Sequence, residues 1–145
     1  MAKMIFVNLP VADVARSTAF YEALGFEKNE KFSNEQGSAM VWSDTIYFML
    51  LAKPFFATFT PKQIADAKTS TCGHFALSFD SKMDVDAITD AALAAGGREL
   101  HDPEDQGFMY SRAFEDPDGH GFGPFWMDPA AAEQGPPEHQ PLAEA

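Results

Sequence analysis

The side chains able to do acid–base or ligand chemistry are few and scattered. His74 opens an apolar stretch, residues 73–79, and by alternation shares a face with Ala76 and Ser78. There it can act as a pocket imidazole, bonding a ligand or serving as a base near neutral pH. It can equally be an interior histidine with its nitrogens satisfied. His101 adjoins Asp102-Pro103 and reads as a loop residue, and His120 sits in a turn and reads as exposed. Arg112, with Tyr110 near it, can anchor a ligand carboxylate or pair with Glu115 or another acid. Asn8 shares a strand face with Phe6 and can orient a polar ligand group. Cys72 stands two positions from His74, but strand neighbours at that spacing lie about 6.6 Å apart, too far for a Cys–His nucleophile. As the single cysteine, it also has no internal disulfide partner.

The elements that must hold these residues follow from local pattern. Residues 4–9 read as a first strand stopped by Pro10, and Asp13 as the N-cap of a helix carrying Val14, Ser17, Tyr21 and Leu24 at helical spacing, closed by Gly25. Short strands are expected over 26–35 and 38–43, hinged on Gln36-Gly37, and a fourth over 45–51. In the connection 53–71, Thr60-Pro61 suggests the start of a helical turn running to Ala67, and its phenylalanines suggest packing on the body of the protein or over a pocket. The second half repeats the order: a strand over 73–79, a helix carrying Val85, Ile88, Ala92 and Ala95 closed by Gly96-Gly97, then strands over 98–102, 107–115 and 121–127. Asp116-Pro117-Asp118-Gly119 is a turn joining the last two as a hairpin.

The halves also align in detail. Phe6-Val7-Asn8-Leu9 lies over His74-Phe75-Ala76-Leu77, and Gln36-Gly37 over Gln106-Gly107. The expected fold is therefore α+β: two βαβββ modules forming curved mixed sheets around a cleft. The domain reading is one duplicated domain over 1–129, with modules of about 3–52 and 73–128 linked by 53–72. Residues 130–145 read as a disordered acidic tail.

The chain has 145 residues and a net charge of −12, with no Lys or Arg after Arg112, which excludes a phosphate-binding surface and hence nucleic acid. No apolar run reaches the roughly 18 residues of a membrane span, and the N-terminus lacks a charged start followed by a long apolar run. A cytoplasmic protein is expected. Fourteen phenylalanines point to an aromatic-rich core or pocket.

The segment Val11-Ala12-Asp13-Val14-Ala15-Arg16-Ser17, with Phe20-Tyr21 and Leu24-Gly25-Phe26, resembles the first-module signature of the vicinal oxygen chelate superfamily. Asp116-Pro117-Asp118-Gly119-His120 resembles its second-module signature, and the likeness runs from Ile5 to Pro129. The superfamily includes glyoxalase I, bleomycin-resistance proteins and extradiol dioxygenases. Its enzymes hold a divalent metal through one side chain from the first and fourth strand of each module. Carried over position by position, those places are Phe6, Met49, His74 and Gly123, of which only His74 is a competent ligand. A catalytic zinc needs about three protein ligands, and harder metals need oxygen donors.

What the resemblance implies is accordingly a glyoxalase/bleomycin-resistance-type protein that binds a small organic molecule in a largely apolar cleft. No cofactor is expected, and a homodimer is, with the cleft shared between subunits. The expected ligand-binding residues are Phe6, Asn8, Met49, His74, Tyr110, Arg112 and Phe122, with Phe125 and Trp126 as further candidate walls. An alternative is a glyoxalase-like lyase or dioxygenase with an unconventional set, His74 joined by Glu35, Glu115 or a partner's residue around a divalent metal. A second alternative is a non-catalytic remnant with no ligand.

Overall fold

The computed structural model describes residues 2–71 and 73–136; Cys72 lies outside them. Two four-stranded sheets organise the chain. In the first, β1 (Ile5–Val11) pairs in parallel with β4 (Ile46–Ala52), which pairs antiparallel with β3 (Gly37–Ser43), and β3 with the short β2 (Glu27–Lys28). In the second, β5 (His74–Phe79) pairs in parallel with β8 (Gly121–Met127), then β7 (Met109–Glu115) and β6 (Arg98–Asp105) follow antiparallel. The α+β duplication expected from the sequence is the observed architecture, and both sheets are open.

Each module has one helix long enough to cover its sheet. In α1 (Val14–Ala23) the Asp13 carboxylate caps the start, accepting from the Arg16 amide at 3.1 Å, and Gly25 ends it at φ 102°. In α3 (Lys82–Ala94) Ser81 performs the same capping for the Asp84 amide, and Gly96 closes it at φ 107°. Phe20 and Tyr21 of α1 and Ile88 and Ala92 of α3 point into one core shared by both modules. Phe48 of β4 lies 5.7 Å from Phe122 of β8, and Phe20 lies 6.4 Å from Phe114 of β7. Because strand side chains alternate, the same register leaves the opposite sheet faces uncovered: Phe6 on β1 is 52% exposed, and His74 and Ala76 on β5 are exposed.

Several local expectations give way. The first strand does not stop at Pro10 but continues to Val11, which an edge strand tolerates. The strand expected over 26–35 is only two residues long, because Asn29 caps a 3₁₀ turn, Glu30–Phe32. The helical turn of the connection comes earlier than expected, as α2 (Lys53–Phe56) with a 3₁₀ turn, Ala57–Phe59. Pro54 suits that first turn, whereas Thr60 is extended and its hydroxyl accepts from the Lys62 amide in a local turn. Residues 130–134, read as the start of a disordered tail, belong to α4 (Pro129–Gln134), capped by Asp128 with Pro129 at its start; residues 137–145 lie outside the described ones. Pro124, a residue type that favours an edge or bulged strand, sits fully buried in the internal strand β8. The β7–β8 ladder lapses between Ser111↔Phe125 and Phe114↔Phe122 where the proline lacks its donor.

The Asp116–Gly119 turn is the hairpin its sequence indicates, with the Gly119 amide bonded to the Asp116 carbonyl at 2.9 Å. It also ties the modules together. Asp118 Oδ1 accepts from the Ala12 amide at 2.9 Å and Oδ2 from the Ser17 hydroxyl at 3.1 Å, with Arg16 adding an ion pair at 3.4 Å. Asp116 Oδ2 accepts from the Tyr21 hydroxyl at 2.7 Å, while its Oδ1 takes the amides of Asp118 and His120. Burial raises the Asp116 carboxyl above its ordinary value, an effect opposed by His120 and by the Tyr21 hydrogen bond. Burial, reinforced by Asp116, pushes the Tyr21 hydroxyl well up, so it stays protonated as a donor. His120, expected to be exposed, is half-buried, its Nε2 donating to the Pro10 carbonyl at 2.7 Å. Gly119 has φ 97°, and a methyl group there would stand 2.6 Å from the Ala67 carbonyl carbon, so the connection packs directly on the turn.

Tyr21→Phe and Asp118→Ala each leave buried polar groups unpaired, and each is expected to cost about 2–3 kcal/mol of stability in urea unfolding. Arg16→Ala, removing a half-exposed pair, is expected to cost under about 1 kcal/mol.

Candidate functional site

The uncovered face of the second sheet forms a shallow hollow of about 260 Å³. Alternation along β8 brings Gly121, Gly123, Phe125 and Met127 to this face and sends Phe122 and Pro124 inward. The hollow is lined by His74 and Ala76 from β5, Gly123, Phe125 and Met127 from β8, Met109 and Ser111 from β7, and His101 and Glu104 from β6.

His74 is the polar centre of this face. Its imidazole lies across the two glycines of β8: a methyl group at Gly123 would stand 2.7 Å from Nε2, and one at Gly121 2.9 Å from Nδ1. The register places His74 opposite Gly121 and Ala76 opposite Gly123, so the ring leans along the sheet into space that only glycine leaves open. Desolvation lowers the His74 pKa from its ordinary value, and the nearby charge of His101 lowers it further. The neutral form, with one donor and one acceptor nitrogen, is favoured near neutral pH.

The other expected site residues divide into groups. Phe6, Asn8 and Met49 lie together on the uncovered face of the first sheet, Asn8 opposite Met49 in register and Phe6 stacked on Tyr47 at 4.7 Å. Within the chain this set and the His74 hollow do not meet, since only second-module residues line the hollow. Arg112 borders the hollow, but its guanidinium is held by Glu99 at 2.8 Å, Asp86 at 3.1 Å and Asp90 at 3.2 Å. Burial pulls its pKa down, yet those acids together raise it. Glu115, the acid first paired with it, instead binds Arg98 at 3.0 Å. Tyr110 turns toward α3, donating to Asp86 Oδ1 at 2.6 Å, and that hydrogen bond is the main reason its pKa is pushed up to about 12. Phe122 is fully buried in the core on the opposite side of β8 and does not line the hollow. Trp126 also lies on that side, with the Lys82 ammonium 5.4 Å from its ring.

His101 is not in a loop. Strand β6 continues through Asp102-Pro103 with two register shifts, as an edge strand can, and brings His101 to the hollow beside Glu104 at 3.8 Å. Asp-Pro masked it in the sequence. Met109 and Met127 were not among the expected residues; alternation groups Met127 with Gly123 and Phe125 but does not tell which face of the strand is core.

The residues do not fit the metal set of the related enzymes. Phe6 and Gly123 carry no donor, the thioether of Met49 is a poor one, and a carboxylate at 123 would collide with the His74 ring as it lies. Glu35 and Glu115 do not line the His74 hollow. Among the described residues no group of three or more His, Cys, Asp or Glu side chains is arranged to hold a metal ion.

A sheet pair of this topology, built twice, with an uncovered face carrying a histidine at the first position of the second module, defines the class. Residues 3–123 match the model of the Glyoxalase/Bleomycin resistance protein/Dioxygenase superfamily, and the chain belongs to that superfamily. Solved structures share the fold at low identity. A hypothetical protein of S. aureus is 23% identical, with 87% of this chain and 94% of that one covered at a TM-score of 0.74. A family enzyme of Burkholderia phytofirmans is 20% identical, covering 87% and 99% at a TM-score of 0.72. The bleomycin resistance determinant encoded on transposon Tn5 is 23% identical, covering 88% and 99% at a TM-score of 0.58. No curated protein matches the sequence.

In a histidine NMR titration, His74 is expected to protonate at lower pH than an unperturbed imidazole. His101→Ala should move its midpoint upward, but not to the ordinary value, because burial is the larger cause.

Proposed function

We propose that this protein binds a small, flat, largely apolar organic molecule, and does so without a complete metal site. The observation that carries the reading is the His74 imidazole lying over Gly121 and Gly123, with Met109, Phe125 and Met127 beside it. This makes a platform of thioether and aromatic side chains around the His74 imidazole, with Ser111, His101 and Glu104 also in its lining, at the place where related enzymes hold a metal. Thioether and aromatic walls suit a ring, and the neutral imidazole supplies one directional contact.

The hollow is too shallow to enclose such a ligand, and a second copy of the chain completes it. Met4, Ile5 and Phe6 at the start of β1 are 46%, 55% and 52% exposed, and Leu100 beside the hollow is 41% exposed. Burying these side chains would drive a dimer in which the first-sheet face, with Phe6, Asn8 and Met49, closes over the partner's His74 hollow.

Thermal-shift screening against flat aromatic compounds tests this. A true ligand at 100 times its Kd should stabilise the protein by about 2.7 kcal/mol. His74→Ala and Phe125→Ala should each weaken it about tenfold, or 1.4 kcal/mol, with unchanged unfolding midpoints in the free protein. A panel with no stabilising compound would leave the remnant reading in place. One equivalent of Zn, Ni, Mn or Fe in protein purified without chelator, lost in His74→Ala, would replace the proposal with the metal-dependent one. Light scattering should give twice the chain mass, falling to the monomer in Phe6→Asp.

A further inference from the structure

A second, separate cavity lies under the connection between the modules. After α2 and its 3₁₀ turn the chain bends past Thr60 and turns again at Asp66–Thr69, where the Thr69 and Ser70 amides bond the Asp66 carbonyl at 3.1 and 2.9 Å. That turn rests on Gly119, whose missing side chain leaves room for the backbone of Ala67 and Lys68. Between this roof and the edge of β1 a space of about 430 Å³ remains, within the range that takes a small organic ligand. Its walls are Val7, Phe56, Ile64 and Phe75, with His120 at the turn end. None of its lining residues lines the His74 hollow.

His120 sets the chemistry of an occupant. Its Nε2 lies 2.7 Å from the Pro10 carbonyl oxygen, which can only accept, so the proton sits on Nε2. In the neutral ring Nδ1 is then an acceptor, and among the described residues it has no protein partner. The same cavity is lined by two aromatic and two aliphatic side chains, with Asn8, Thr60, Lys62, Gln63, Ser70 and Thr71 as its other polar residues. The geometry points to a binding site for a one- or two-ring aromatic molecule carrying a single hydroxyl donor, a phenol-like ligand held by His120 beneath the connection.

The probe is 1-naphthol, compared with 1-methoxynaphthalene, which has the same rings and no donor. Binding is followed on the full chain by amide NMR. Saturable shifts are expected at residues 62–71 and 119–121, with the methyl ether at least tenfold weaker. Ile64→Trp, which fills the cavity from the connection, should abolish them while leaving the urea midpoint within error. His120→Phe should erase the difference between the two probes, and if it fails to fold, Ile64→Trp decides alone. The proposal is overturned if 1-naphthol does not saturate, if the ether binds equally well, if Ile64→Trp has no effect, or if the shifts fall on residues 109–111 and 123–127. That last pattern would place the probe in the His74 hollow instead, so the two sites stand or fall separately.

Discussion

Two buried carboxylates in one turn hold the molecule together. Asp116 and Asp118 are 2% and 8% exposed, and between them they accept from the Ala12 amide, the Ser17 and Tyr21 hydroxyls and two amides of their own turn. Burying a carboxylate costs several kcal/mol unless hydrogen bonds replace its water, so the turn and the start of α1 specify each other. Once docked, the Tyr21 ring stands 5.9 Å from Phe122, and the aromatic core of both modules closes as one. His120, the next residue of the same loop, reaches the Pro10 carbonyl and secures the edge strand β1. The position of both sheets, of the connection resting on Gly119, and of the cavity below it follows from this lock.

The uncovered face is the other half of the same alternation. Phe122 and Pro124, which β8 sends inward, are fully buried, and the residues it sends outward leave a platform. The two outward glycines are not merely the absence of a ligand; they are the bed on which the His74 ring lies. Around them Met109, Phe125 and Met127 give this face a flat surface. Arg112, the guanidinium in the lining of the hollow, is taken up by Glu99, Asp86 and Asp90 and ties α3 to the sheet.

Much of this was legible in the linear chain. Apolar periodicity, Asp13, Gly25 and Gly96 located both long helices, and the repeated strand order showed the duplication and the α+β class, because these signals act over a few residues. The lack of donors at Phe6 and Gly123 was equally legible, since it depends on residue type alone. Local signals misled where two competed: Asp102-Pro103 hid an edge strand and with it His101, and Thr60-Pro61 suggested a helix that Pro54 had already begun upstream.

Tertiary structure alone decided which face each residue meets and what the buried groups pair with. Phe122 and Phe125 look alike in sequence, yet one is core and one lines the hollow, because strand parity acquires meaning only when a helix covers one side. Arg112 and Tyr110 carry ligand-binding chemistry in the sequence, but α3 supplies the acids that occupy them. The partners of Asp118 lie about a hundred residues away along the chain, and no local pattern connects them. The sequence by itself determined the elements, their duplication and the missing metal donors. Packing determined the lock, the His74 platform and the roofed cavity, because each is a contact between segments that only the closed core brings together.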